Sequence, residues 1–538
     1  MRQVIIFLLL VAFSFYACSD SVESNENSVD AKSGLFQQVD PAQSGVDFQN
    51  SFTENYEINI LTYEYLYNGG GVAIGDINND GLPDLYFSSS LASNKLYLNK
   101  GDFIFEDITE KAGVAAAEGF KTGVSMADLN NDGLLDIFVC RTGKDDNGLK
   151  DNLVFLNQGD LQFKEAHQEL GLNDNSNTNH VAFLDYDKDG DLDIYLLNHR
   201  IGFATATQLR LQQQTDGTVI RKTNPETPFE SDRLFRNDGG RYTDVSQAAG
   251  IVNSSFGLSV TVGDINQDGY PDLFVGNDYI EPDYVYINQQ DGTFSDEYFT
   301  MLRHSSQNTM GADIGDINND GLPDIMSLDM IAEDPFRYKQ LMNVMQFDRY
   351  QMLVKYGYGD QVGRNVLHLN NGNGTFSEIG QLAGVAATDW SWSTLFADLD
   401  NDSWSDIYIT NGYRRDVTDL DYMSYTRDSI KRTGGISSNR YPDVNDFLAI
   451  VPEQKIKNYV YRNRGDLGFE NMTETWMSAP ASYSNGAAYG DLDGDGDLDL
   501  VVNNIGSPAF LLKNTLSSGN NYLQLQLIGP KENRQALG

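Results

Sequence analysis

The chain has 538 residues, with 37 Lys and Arg against 78 Asp and Glu, for a formal net charge of −41. That surplus repels a phosphate backbone and argues against nucleic acid as a partner, while 40% hydrophobic and 11% aromatic residues exclude a disordered acidic tail. Two cysteines, Cys18 and Cys140, cannot frame so long a chain with disulfides, and its length points to several units or a repeat array.

Met1-Arg2 precedes an apolar run over 4–17 whose only polar member is Ser14. The run is too short to span a membrane and the right length for a signal-peptide core, so residues 1–17 are expected to be cleaved. It ends FYAC at 15–18, which resembles the lipobox of bacterial lipoproteins, with a small Ala17 before Cys18 and with Phe15 and Tyr16 bulkier than the usual pattern. The resemblance implies that Cys18 carries lipid and that residues 18–33 are a polar tether to an outer membrane, periplasmic or cell-surface. Asp20 and Glu23 resemble a surface-export signal of Bacteroidetes lipoproteins. An ordinary cleaved signal is the alternative. Cys140, in the run IFVC, reads as a buried free thiol.

One ten-residue phrase then recurs seven times, as GDINNDGLPD at 75–84, ADLNNDGLLD at 127–136, LDYDKDGDLD at 184–193, GDINQDGYPD at 263–272, GDINNDGLPD at 315–324, ADLDNDSWSD at 397–406 and GDLDGDGDLD at 490–499. Its template is D-x-[DN]-x-D-G-x-x-D, counted from the first Asp. Side-chain oxygens at positions 1, 3, 5 and 9, with the position-7 carbonyl, can converge on a calcium ion, which takes six to eight oxygens at about 2.3–2.6 Å. The expected ligands are Asp76, Asn78, Asp80, Leu82 and Asp84 in the first loop and Asp128, Asn130, Asp132, Leu134 and Asp136 in the second. Asp185, Asp187, Asp189, Asp191 and Asp193 form the third set, and Asp264, Asn266, Asp268, Tyr270 and Asp272 the fourth. Asp316, Asn318, Asp320, Leu322 and Asp324 follow in the fifth, then Asp398, Asp400, Asp402, Trp404 and Asp406 in the sixth and Asp491, Asp493, Asp495, Asp497 and Asp499 in the seventh. Up to seven Ca²⁺ are expected, and they would stabilise a chain that lacks disulfides. Position 6 is Gly except for Ser403 in the sixth loop, which is therefore expected to bind weakest.

An EF-hand needs a bidentate Glu at position 12 between helices. Here position 12 is Phe87, Val139, Leu196, Val275, Ser327, Ile409 and Val502, and the flanking runs, such as VTVG before and LFV after, read as strands. The loops therefore join β-hairpins. After them come phrases such as KLYLNKGDFIFEDITEKAGV at 95–114, LVFLNQGDLQFKEAHQELGL at 153–172 and NVLHLNNGNGTFSEIGQLAGV at 365–385, each a second hairpin around an Asn/Gly/Asp turn. Two hairpins make a four-stranded blade, and seven blades make an all-β, seven-bladed β-propeller over 34–514. The last blade, with FLLKN at 510–514, lacks a fourth strand, so the strand near Phe36 is expected to complete it and close the ring.

These loops and N-x-G-x-F phrases resemble the FG-GAP/VCBS repeats of integrin α chains and of the cartilage acidic protein group. The tail over 515–538 resembles the start of the ASPIC/UnbV domain that follows such propellers, which implies that this domain is incomplete at Gly538. The signal and the long inserts make the chain similar to Bacteroidetes lipoproteins of the group.

Catalysis finds little support. The Asp residues sit at cage spacing, His180 lies in the strand entering the third loop and His199 just after the strand leaving it, as structural histidines do, and no serine elbow, phosphate loop or zinc-type Cys pair occurs. Three long inserts between second and third strands, at about 198–232, 328–364 and 411–457, should emerge together on the face opposite the metal loops. They carry Arg200, Phe203 and Arg210, then Phe336, Arg337, Tyr338 and Arg349, then Tyr413, Arg414 and Arg415. That face is read as the surface for a protein or glycan ligand, with His199, Arg200, Trp390, Trp392, Tyr413, Arg414 and Arg415 as its candidates. The alternatives are that the tryptophans belong to the blade core and that the inserts pack as covers over the ring. The expected function is a calcium-binding binding module of the cell envelope, the runner-up an envelope hydrolase with its site on the inserts or in the missing domain.

Overall fold

The computed structural model describes residues 34–143, 149–200, 202–341, 347–427, 432 and 448–516, with isolated positions between 522 and 529. Cys18, the signal, the tether and most of the tail lie outside the described residues.

Seven antiparallel sheets follow one another along the chain, each of four strands except the sixth, which Met330–Ile331 extends to five by pairing with Trp390 and Asp389. Blade 1 is Val72–Gly75, Asp84–Phe87, Lys95–Asn99 and Phe105–Asp107, and blades 2 to 6 repeat this order. Blade 7 takes Ser484–Gly490, Asp499–Asn504 and Phe510–Asn514 from the end of the propeller and Phe36–Gln38 from its beginning. Phe36 pairs with Asn514 and Gln38 with Leu512, so the ring closes as expected and leaves no open edge between its ends.

The second strand of each blade is sandwiched between neighbouring blades and is buried throughout, as in Asp136–Thr142 and Asp272–Asn277. That double burial is why these segments read as unbroken apolar runs and not as alternating ones. First strands line the central channel, where backbones crowd: a Cβ on Gly311 would lie 1.8 Å from the Trp392 carbonyl oxygen. Several fourth strands lead into a one-turn helix, such as Thr109–Ala112 and Gly380–Ala383, ended by a left-handed glycine, Gly113 or Gly384. The hairpin reading of these phrases missed those helical turns.

The inserts do meet. The Tyr358 hydroxyl both accepts from the Arg210 N–H and donates to its carbonyl, and the Arg349 guanidinium donates to the Thr207 carbonyl, tying the first insert to the second. Arg337 joins the second to the third through Asp416, at 3.0 Å, while also gripping Asp389 at the start of blade 6.

Candidate metal centres and the capped face

Each metal-loop phrase forms a tight turn between first and second strands. In loop 1 the Gly81 N–H donates to Asp76 Oδ2 at 2.7 Å and the Asp80 N–H to Asp76 Oδ1 at 3.1 Å, which wraps the turn around the first carboxylate. Gly81 has φ +88°, as the template requires, but position 4 is left-handed too, at Asn79 (φ +57°), Lys188 (φ +57°) and Asn401 (φ +53°). The position-4 side chain reaches the next loop: Asn79 Nδ2 donates to the Gly133 carbonyl at 3.0 Å and Asn319 Nδ2 to the Ser403 carbonyl at 2.9 Å.

The position-9 Asp is the buried anchor. Asp84 Oδ2 accepts from the Ile77 N–H at 3.0 Å and its Oδ1 from the Asn99 N–H at 2.8 Å. The same pair of bonds recurs in all seven blades, with Asn157, Asn237, Asn288, Asn370, Asn463 and Asn514 in the place of Asn99. Sequence reading gave these asparagines no role beyond a turn, although one ends every third-strand phrase. Their side chains also cross blades: Asn99 donates to the Leu492 carbonyl, Asn157 to Ile77 and Asn463 to Ile317, each at position 2 of the preceding loop. In blade 3 the Tyr242 hydroxyl makes this link to the Leu129 carbonyl instead. Burial pushes the carboxyls up, to about 7 at Asp84 and about 8 at Asp193, Asp406 and Asp499.

The residues fit a divalent cation. In blades 3, 6 and 7, carboxylate oxygens of Asp185, Asp187 and Asp193, of Asp398, Asp400 and Asp406, and of Asp491, Asp493 and Asp499 lie within 4.8 Å of one another. Two oxygens that each sit about 2.3–2.6 Å from one ion are at most about 5.2 Å apart, so these sets can share one. Asp185 Oδ1 and Asp493 Oδ1 are buried without a hydrogen-bond partner, a costly state that a metal would relieve.

On the opposite face, the candidate ligand residues come together but are covered. His199 is fully buried, and Arg200, Trp390, Trp392, Tyr413 and Arg415 are at most 7% exposed; Arg414 alone of the set is half-exposed. What covers them is segment 52–68, to which sequence reading assigned nothing, together with the inserts. Tyr63, Tyr65 and Tyr67 from this segment join Trp390, Trp392 and Tyr413 in one apolar cluster over the channel. Trp390 stacks on Tyr413 at 4.0 Å between centroids, and Trp392 Nε1 donates to the Gly412 carbonyl. Tyr413 donates to the Glu64 carbonyl at 2.8 Å, Tyr65 to Asp278 at 3.1 Å, and Arg415 pairs with Glu54 at 3.0 Å. His199 Nε2 meets Thr142 Oγ1 at 2.9 Å, and burial lowers its pKa to about 4, so it stays neutral. These residues are the core of a cap, and the physical reason is their apolar area: left open, it would face water. Below the cap a cavity of about 360 Å³ is lined by the first strands of all seven blades, including His180 and Asp313.

A closed ring of seven blades, each with an oxygen-rich turn on one face, defines a propeller of repeated acidic hairpins. FG-GAP-like repeats match residues 76–139, 140–196, 223–275, 264–327, 356–409 and 444–502, and the chain belongs to that repeat family. It is 23% identical to cartilage acidic protein 1 of Xenopus tropicalis over 494 residues, 88% of this chain and 62% of that protein. Against the Homo sapiens cartilage acidic protein 1 the figure is 28% over 33% of this chain and 26% of that protein. Integrin alpha-3 of Mus musculus is 36% identical over 85 residues, 14% of this chain and 8% of the integrin. The chain thus spans about 62% of the length of the first of these relatives.

Proposed function

We propose that this protein is a calcium-loaded binding module of a bacterial cell envelope, a Bacteroidetes-type lipoprotein held to the outer membrane through lipid on Cys18. The observation that carries the reading is the set of seven oxygen-rich turns on one face of a ring whose other face bears three interlocked inserts. Calcium would order the turns, with Asp ligands at positions 1, 3, 5 and 9 and the position-7 carbonyl, and leave the insert face for recognition of a protein or glycan. Because the cap buries the tryptophans, contact falls to the outer side of the inserts, where Phe336 is 72% exposed, Phe347 73% and Tyr425 74%. Large exposed aromatics of this kind anchor protein and sugar ligands.

The test is to probe arrays of glycans and extracellular proteins with the full chain in calcium and in EGTA, and with a Phe336→Ser/Phe347→Ser variant. Calcium-dependent binding lost in the variant is the expected result; binding that ignores both changes sinks the reading. Anchoring is checked separately by palmitate labelling, which should disappear in Cys18→Ala.

A further inference from the structure

The seven loops fall into two kinds, and a residue far away in sequence tracks the difference. Position 3 is Asn in blades 1, 2, 4 and 5, and there the residue before the third-strand asparagine is apolar: Leu98, Leu156, Ile287 and Leu369. Position 3 is Asp in blades 3, 6 and 7, and there the same place holds Arg236, Arg462 and Lys513. No blade mixes the two.

The geometry supplies the reason. In the Asn loops of blades 1, 4 and 5 the position-3 amide donates to the position-5 carboxylate, at 2.9 Å for Asn78 to Asp80, Asn266 to Asp268 and Asn318 to Asp320. An Asp at position 3 has no proton to give, and two adjacent carboxylates repel. In blade 6 Arg462 fills that gap, with Nε 2.8 Å from Asp400 and Nη2 2.9 Å from Asp402. In blade 7 Lys513 pairs with Asp493 and stands 3.9 Å from Asp495. Lys513 takes Asp493 Oδ2, while Oδ1 of this side chain, only 8% exposed, is buried without a partner and remains for a metal. In blade 3 Arg236 turns instead to Asp238, at 2.9 Å.

We infer that Arg462 and Lys513 are tethered cations that hold the position-3 and position-5 carboxylates of blades 6 and 7 together without metal, and that they weaken calcium binding there by charge repulsion. The inference rests on the calcium reading of the loops only in its second half. In blade 6 the four carboxylates of Asp398, Asp400, Asp402 and Asp406 together with Arg462 carry the same net charge as the three carboxylates of an Asn cage, and in blade 7 Lys513 offsets one of five, since Asp497 stands at position 7.

The experiment compares the full chain with Arg462→Leu and Lys513→Leu, and with Asp400→Asn/Arg462→Leu and Asp493→Asn/Lys513→Leu, which recreate the Asn and Leu pairing of the other blades. Thermal unfolding in EGTA and isothermal titration with calcium are the readouts. Each Leu variant should unfold at a lower temperature in EGTA, and each added Asn should restore the parent midpoint. In calcium, one site of each Leu variant should tighten about tenfold. An EGTA midpoint equal to the parent's, a fall that the Asn does not reverse, or an unchanged calcium affinity overturns the inference. A parent that binds no calcium refutes the calcium reading and the second half with it, and the EGTA series then decides the first half alone.

Discussion

Ser403 stands where six other loops have glycine, and it takes φ +72° to keep its N–H on Asp398 Oδ2 at 2.8 Å. The loop therefore keeps its shape at a backbone cost of about 1 kcal/mol, and Ser403→Gly should recover that amount in a denaturant titration. Asp278 offers a second test. Burial raises its carboxyl to about 7 from the ordinary 3.8, while it accepts from Tyr65 and from the Tyr279 N–H. A carboxyl raised in the folded state binds its proton more tightly there than when unfolded. Its contribution is complete below pH 3.8 and is lost as pH rises through about 7. Asp278→Asn should remove this component, so that the fall in stability between about pH 4 and 7 becomes shallower than in the parent. An identical pH profile would show that the carboxyl does not titrate in the cap.

At the scale of elements, the inserts and segment 52–68 form one cap, an apolar cluster braced by ion pairs. Arg337 holds Asp389 and Asp416, whose side chains are 6% and 3% exposed. Arg337→Ala would strand two buried carboxylates and should cost about 3 kcal/mol, measured by chemical denaturation, while the number of bound calcium ions stays the same. The closing strand is a separate element: deleting Leu35–Gln38 strips the pairing from Phe510–Asn514 and should lower the unfolding midpoint and promote association through the bared edge. Sequence reading placed this strand correctly because blade counting leaves one strand over. It did not foresee segment 52–68 as a lid, since FTENYEINILTYEYLYN matches neither the metal-loop phrase nor the third-strand phrase by which the blades were recognised. Its tyrosines gain meaning only when Trp390, Tyr413 and Asp278, far away in the chain, come to meet them.

For the whole molecule, the seven loops place 24 aspartates at positions 1, 3, 5 and 9 around one end of a ring. Thermal unfolding of the full chain in EGTA, then across a calcium titration, should show a steep rise in midpoint, since each site held tenfold above its Kd adds about 1.4 kcal/mol. The loops are not independent, because third-strand asparagines and position-4 side chains link neighbours around the ring. The rise should therefore be cooperative, and Asn157→Ala, which cuts the bond from blade 2 to the loop of blade 1, should make it shallower.

What the sequence determined by itself was everything written as local repetition: the loops, the spacing of their carboxylates, the hairpins, the number of blades and the strand left over to close them. Such features depend on residues a few places apart, where spacing dictates geometry. The tertiary structure alone decided which side of a residue is covered. His199, Trp390, Trp392 and Tyr413 have the composition of a binding surface, yet they are buried, because whether an aromatic side chain faces a ligand or a neighbour depends on segments hundreds of residues away. The pairing of Arg462 and Lys513 with position-3 aspartates is of the same kind: each residue is visible in the chain, but its partner is set by the adjacency of third strand and loop within a folded blade.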